Sequence, residues 1–164
     1  MSEASPIALV DTDVVSNALK GTPIGFEYTR LLREYQAAIA FITAGELLHG
    51  ALRRQLGALR QLHLEQVLVD YPIIRFKSGM ERTYARVMFE RERMGKRLER
   101  SDAWIAATAL HYDIPLATHD SDFVGTRGLR IITASEEVRA AQLRLPPVVS
   151  GRPLSLDASC RCGL

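Results

Sequence analysis

The chain has 164 residues, room for one domain with a real hydrophobic core but not for two. With 21 basic and 19 acidic residues, a net charge of +2 and 47% apolar residues, it has the balance of a globular protein, not of a disordered or fibrous one. No run approaches the ~18 apolar residues of a membrane span, and the opening "MSEASP" lacks the basic and apolar regions of an export signal. The expectation is a cytoplasmic protein with no membrane partner.

The first element is "IALVD", a short continuous apolar run over 7–11 that reads as a buried strand. A helical stretch over 14–20 is closed by Gly21 and Pro23, and a second helix follows over 26–34. "AAIAFI", 37–42, is a second buried strand, and Thr43 opens a helix to about residue 56. After Gly57 comes a helix over 59–69, then a third strand, "PIIRF", over 72–76. A long polar helix runs from Gly79 to about Met94, and Ser101 is placed to cap the helix "DAWIAATALHY". Strands over 114–118 and 129–132 and a helix over 135–143 complete a domain of 1–145. From Pro146 the composition turns to Ser, Gly and Pro, which predicts an extended or mobile tail over 146–164. Its Cys160 and Cys162 are two thiols where structural zinc wants four ligands, and are read as incidental.

Strands alternating with helical crossovers predict an α/β fold with a mainly parallel sheet covered on both faces. Ligands of such sheets bind beyond the carboxyl ends of the strands. Asp11 ends the first strand, and Asp120 and Asp122 follow the fourth. Glu46 and Asp102 stand in the first turns of helices reached from the same side. Four distant segments therefore send Asp11, Glu46, Asp102 and Asp120 toward one rim.

Crowded carboxylates take up protons or bind cations. Oxygen donors without a His/Cys cluster suit Mg2+, with Mn2+ as the alternative, and such an ion serves hydrolysis of a phosphate ester. Each acid also has a structural reading. "TAGE" fits a capping box ending in Glu46. Asp102 complements its helix dipole. Asp120 and Asp122 suit an Asx turn. Asp11, abutting a buried strand, is the hardest to explain without a partner.

Elsewhere, His49, His63, His111 and His119 do not group at ligand spacing, and Trp104 reads as core or dimer packing. Between 75 and 100, nine basic residues face Glu81, Glu90, Glu92 and Glu99, either a solvated helix face or a surface for phosphate.

"LVDTDVVSNAL", "FITAGELLHGAL", "RSDAWIAATALHYDIPLATHDSDF" and "GLRIIT" together resemble the PIN-domain ribonucleases, above all the toxin halves of VapBC-type toxin–antitoxin pairs. The resemblance runs from about Ile7 to Ile132 and rests on the order and spacing of the motifs. It implies a PIN-like three-layer α/β/α sandwich around a five-stranded sheet. It also implies a catalytic set of Asp11, Glu46, Asp102 and Asp120 that holds one or two Mg2+ ions, with Asp122 as an alternate ligand. Thr12 and Thr118 would be supporting polar groups. Asp13 stands where many relatives have Asn or Ser, and would be an acceptor behind the ligands or a water-mediated one. Cleavage of RNA, homodimerisation and inhibition by a cognate antitoxin follow from the same resemblance. Arg53, Arg54, Arg82, Arg86, Arg93, Lys96 and Arg97 are the expected RNA-backbone contacts.

Two rivals remain open. "LVDTDVV" also fits the Asp-x-Asp opening of haloacid dehalogenase-type phosphatases, which need a lysine at the phosphate; Lys77 and Lys96 are the candidates. The other is a PIN fold that binds RNA without cutting it.

Overall fold

A computed structural model describes residues 5–55 and 57–145. Strand β1 (Ile7–Val10) leads into helices α1 (Thr12–Leu19) and α2 (Pro23–Leu31), then β2 (Gln36–Ala40). Helices α3 (Phe41–Arg53) and α4 (Ala58–Asp70) precede β3 (Ile73–Ile74). Helices α5 (Met80–Arg93) and α6 (Arg100–His111) lead to β4 (Leu116–Ala117). A 3-10 turn (Ser121–Phe123), β5 (Ile131–Ile132) and α7 (Glu136–Leu143) follow. The tail over 146–164, with Cys160 and Cys162, lies outside the described residues.

All strand pairs are parallel, in the order β3-β2-β1-β4-β5. The first two crossovers carry the chain outward from β1 to β2 to β3. The third, through α5 and α6, carries it back past both to the other side of β1. The direction of winding thus reverses between β1 and β4, and a crevice opens at their carboxyl ends.

Alternation along the strands builds the layers. Ala8, Val10, Ile39 and Ala117 point to one face, against Val14 and Val15 of α1, Tyr28 of α2 and Leu47 of α3. Leu9, Ala40 and Leu116 point to the other, against Val87 of α5, Ile105 and Ala106 of α6, and Phe123. The result is a three-layer α/β/α sandwich around a parallel five-stranded sheet, the architecture the resemblance implies. Helix α6 buries Ala103, Ile105, Ala106, Ala107 and Ala109. Its small side chains let it lie close between the sheet and the outer helix α5.

Several helix starts differ from the sequence reading: α1 begins at Thr12 and not at 14, and α2 at Pro23, capped by Thr22, and not at 26. Helix α3 begins at Phe41, directly off β2, with Ala40 as its cap and no side-chain cap bond. Thr43 is already inside the helix and buried, so no capping box forms with Glu46. Helix α6 begins at Arg100 behind Glu99, also without a side-chain cap, so Ser101 is in the first turn and not the cap. Leu98, 2% exposed, anchors the chain just ahead of that turn. At α3 and α6 alike the helix starts without a side-chain cap, next to a buried apolar residue, Ala40 or Leu98.

Candidate active site

Asp11 is the first residue past β1 and the cap of α1, in extended backbone at φ −70° and ψ 154°. It is 4% exposed. Its Oδ1 accepts from the Thr12 N–H at 2.7 Å, and its Oδ2 accepts from the Thr118 hydroxyl at 2.7 Å. Thr118 immediately follows β4, so this second bond spans the crevice between the strands. The Asp120 N–H donates to the same Thr118 hydroxyl at 3.1 Å. Below, the buried Tyr28 hydroxyl donates to the Thr118 carbonyl at 2.6 Å and accepts from the Ala134 N–H at 3.2 Å. One phenol thus fastens α2 to the ends of β4 and β5. Its edge also meets His119, whose Nδ1 is 3.3 Å from the hydroxyl.

Glu46 enters from the second turn of α3. The Thr12 hydroxyl donates to Glu46 Oε2 at 2.5 Å and lies 3.3 Å from the Thr43 hydroxyl. Asp102 enters from the first turn of α6. Asp11, Asp13, Glu46, Asp102, Asp120 and Asp122 all line one open cleft of about 480 Å3. Arg53, Arg54, His49, Glu99 and Ser101 are at its walls.

Asp120 and Asp122 sit on a turn with its own support. Asp120 Oδ1 accepts from the Asp122 N–H at 2.8 Å, an Asx-type cap, so the structural reading of this pair is realised alongside its place at the rim. The turn is held from behind by Arg91 of α5, only 3% exposed. Arg91 Nη2 donates to the Asp122 carbonyl at 2.7 Å, and Nη1 to the Val124 carbonyl at 2.8 Å. Burial lowers the Arg91 pKa and the Asp122 charge opposes that.

Charge crowding is visible in two carboxyls. Asp11 is pushed up to about 6, first by burial, against the opposing bonds from Thr118 and Thr12; Asp13 and Asp120 add repulsion. Asp102 is pushed up to about 7, again first by burial, then by the charges of Asp11, Asp120, Glu46 and Glu99. Without a counter-cation the fold holds these acids where they resist ionising.

That donor set fits a hard dication: oxygen ligands, an excess of negative charge, and no thiolate. Among the described residues no three His, Cys, Asp or Glu side chains are already drawn together into a cage. A hydrated magnesium ion asks for one or two carboxylates and keeps its own waters, so the donors still suit it. Among the described residues no lysine lines the cleft, Lys77 and Lys96 included, which leaves the phosphatase pattern without its lysine.

The predicted basic residues divide. Arg53 and Arg54 stand with the acids. Lys96 and Arg97 line a separate cleft. Arg82, Arg86 and Arg93 line neither, and Arg93 lies over the Phe89 ring, 5.7 Å from its centroid. Trp104 stacks on Tyr84 at 4.3 Å and meets Phe41 and Phe76 edge-on. Arg91 and Tyr28, which position the turn and the end of β4, had no signal in the sequence, because both act through backbone carbonyls far along the chain. Among the described residues no helix is long and apolar enough to cross a membrane.

The sequence profile of the PIN domain matches residues 8–129. The chain is 27% identical over 132 residues to the protein named Ribonuclease VapC4 of Mycobacterium tuberculosis (strain ATCC 25618 / H37Rv), covering 77% of this chain and 95% of that one. Its fold is similar to VapBC2 from Rickettsia felis, solved bound to a DNA fragment from its promoter, with a TM-score of 0.70 at 23% identity over 77% of this chain and 98% of that one. It is also similar to VapBC-5 of Mycobacterium tuberculosis, a member of the VapBC family of toxin–antitoxin systems. There the TM-score is 0.57 and the identity 28%, over 78% of this chain and 99% of that one.

Proposed function

Because the chain belongs to the PIN-domain family, we propose that it is a Mg2+-dependent endoribonuclease, the toxin of a type II toxin–antitoxin pair. The observation that carries this reading is the convergence of Asp11, Glu46, Asp102 and Asp120, from four separate segments, on one cleft at the reversal point of the sheet. The relative named a ribonuclease and the toxin–antitoxin neighbours support RNA as the substrate and a small inhibitory protein as the partner. Homodimerisation is proposed on the family resemblance, and sedimentation of the purified chain tests it.

Asp11 and Asp102, the two acids with raised pKa values, would hold the ion, with Glu46, Asp120 and Asp122 completing the anionic wall. When bound, Mg2+ supplies charge stabilisation for a phosphodiester and lowers the pKa of the attacking water. The bonds from Thr118 and the Thr12 N–H hold one oxygen each of the Asp11 carboxylate, so it would meet an ion at the cleft without rearrangement. Thr12 does the same for Glu46. Arg53 and Arg54 offset the carboxylates for an incoming phosphate. Arg91 fixes the turn that presents Asp120.

The test is incubation of RNA with the purified protein in Mg2+, in EDTA, and with Asp11→Asn. Cleavage is expected with Mg2+ alone and falls by at least about 100-fold in the variant. Equal cleavage by Asp11→Asn would overturn the assignment, and RNA binding without cleavage would favour a non-cutting module.

A further inference from the structure

A second cleft, of about 750 Å3, adjoins the first. It lies between the end of α5, the 3-10 turn and α7, and Asp122 lines both clefts. Its character is opposite. Lys96 and Arg97 enter from just past α5, Arg144 from just past α7, and buried Arg91 forms its back, against Asp122 and Glu137 as its acids. Gly95 produces this arrangement. Its φ of +66° ends α5 in a left-handed cap, with the Lys96 N–H donating to the Arg91 carbonyl at 3.1 Å. The chain then turns, and Lys96 and Arg97 follow at the helix end.

Cations at a helix C-terminus complement the dipole, which would explain either group alone. It does not explain why two helix ends meet across one cleft that joins a carboxylate centre. Lys96 and Arg144 are exposed and in no ion pair among the described residues. Arg97 pairs with Glu92 at 3.0 Å on the open surface, a bond weak enough to be exchanged for a phosphate. A nucleic-acid strand with one phosphate at the acids must lead its next phosphates out of a negative cleft. On the Asp122 side that route runs between these cations.

We propose that this second cleft carries the backbone of the RNA substrate away from the cutting centre, with Lys96, Arg97 and Arg144 as its phosphate contacts. The proposal rests on the ribonuclease reading above and adds to it the path of the strand. Lys96 and Arg97 were expected to touch RNA from their sequence setting. Arg144, and the separation of these contacts from Arg53 and Arg54, come from the cleft.

The experiment measures binding of a fluorescent single-stranded RNA in EDTA, where nothing is cut, as a function of salt. It compares the wild type, the double variant Lys96→Ala/Arg144→Ala, and a control, Arg30→Ala/Arg33→Ala, which removes the same charge from exposed positions on and just past α2. All four side chains are exposed, so folding is not at stake. The cleft variant is expected to bind about tenfold more weakly near 0.1 M salt, with a log–log salt slope shallower by about 1.4, roughly 0.7 for each cation removed, while the control keeps the wild-type slope. An unchanged slope in the cleft variant, with normal wild-type binding, overturns the path and leaves the ribonuclease reading intact. Wild-type protein that binds no RNA sinks both. A cleft variant that keeps RNA binding but escapes inhibition by a co-expressed antitoxin assigns the cleft to that protein and overturns the proposal.

Discussion

Asp11 and Asp102 are the residues whose chemistry the fold alters most. Both ionise less readily in the folded protein than in the unfolded chain. Their contribution to stability is therefore complete below about pH 3.8 and is lost as pH rises through about 6 for Asp11 and about 7 for Asp102. Metal-free protein is accordingly expected to melt a few degrees lower at mildly alkaline than at mildly acidic pH. Asp102→Asn should narrow that gap; calorimetry showing the same pH dependence in the variant would contradict the assignment. The acids were legible in the sequence because each abuts a strand end or opens a helix. Arg91 was not, since its arginine-rich surroundings look uniformly solvated and its partners are carbonyls more than thirty positions away. Arg91→Met is expected to cost about 2–3 kcal/mol, by stranding the buried Val124 carbonyl and the part-buried Asp122 carbonyl, and to slacken the Asp120 turn. Urea melts check the first effect. The second should appear as a weaker magnesium-induced shift in melting, and a normal shift would show that the turn stands without its guanidinium.

At the scale of elements, the packing of α1 on α2 leaves no room at Gly25. Thr22 caps α2, accepting from the Gly25 N–H at 3.2 Å, and its hydroxyl donates to the Asn17 carbonyl at 3.2 Å. Gly25 then lies so close to α1 that a Cβ would meet the Asn17 carbonyl oxygen at 2.5 Å and the Ala18 Cα at 2.7 Å. These are backbone atoms and cannot swing aside. Gly25→Ala should therefore destabilise by about 1–3 kcal/mol, although alanine favours helix. Denaturant melts of equal stability would mean that the two helices separate freely. The elements were largely readable from their periodicity. Their ends were not: Phe41 and Ile42 look like strand, yet they open α3, because a parallel strand that has reached the rim must turn back at once to cover the sheet. The capping signals at Thr43 and Ser101 were locally sound, yet each helix starts ahead of its candidate cap.

For the whole molecule, alternation of strands and helices implied a covered parallel sheet, whereas the strand order is set by which neighbours bury β1 on both sides. That order makes the cleft. Since the ion would bind only the folded chain, magnesium at 100-fold excess over its dissociation constant should stabilise the protein by about 2.7 kcal/mol. In Asp11→Asn most of that gain should vanish, and thermal scans finding the same increment in both proteins would remove Asp11 from the ligand set.

The reversal between β1 and β4 also bears on biosynthesis. The acidic residues of the cleft run from position 11 to position 122, and the strand that delivers Asp120 must insert beside the first one made. A nascent polypeptide lacking that insertion has no complete centre, however well its earlier segments have condensed. On the proposed ribonuclease reading, cutting power would therefore arrive late, in one step, when translation of the domain is nearly finished. A fragment ending ahead of β4 that already degraded RNA would show that the remaining carboxylates suffice.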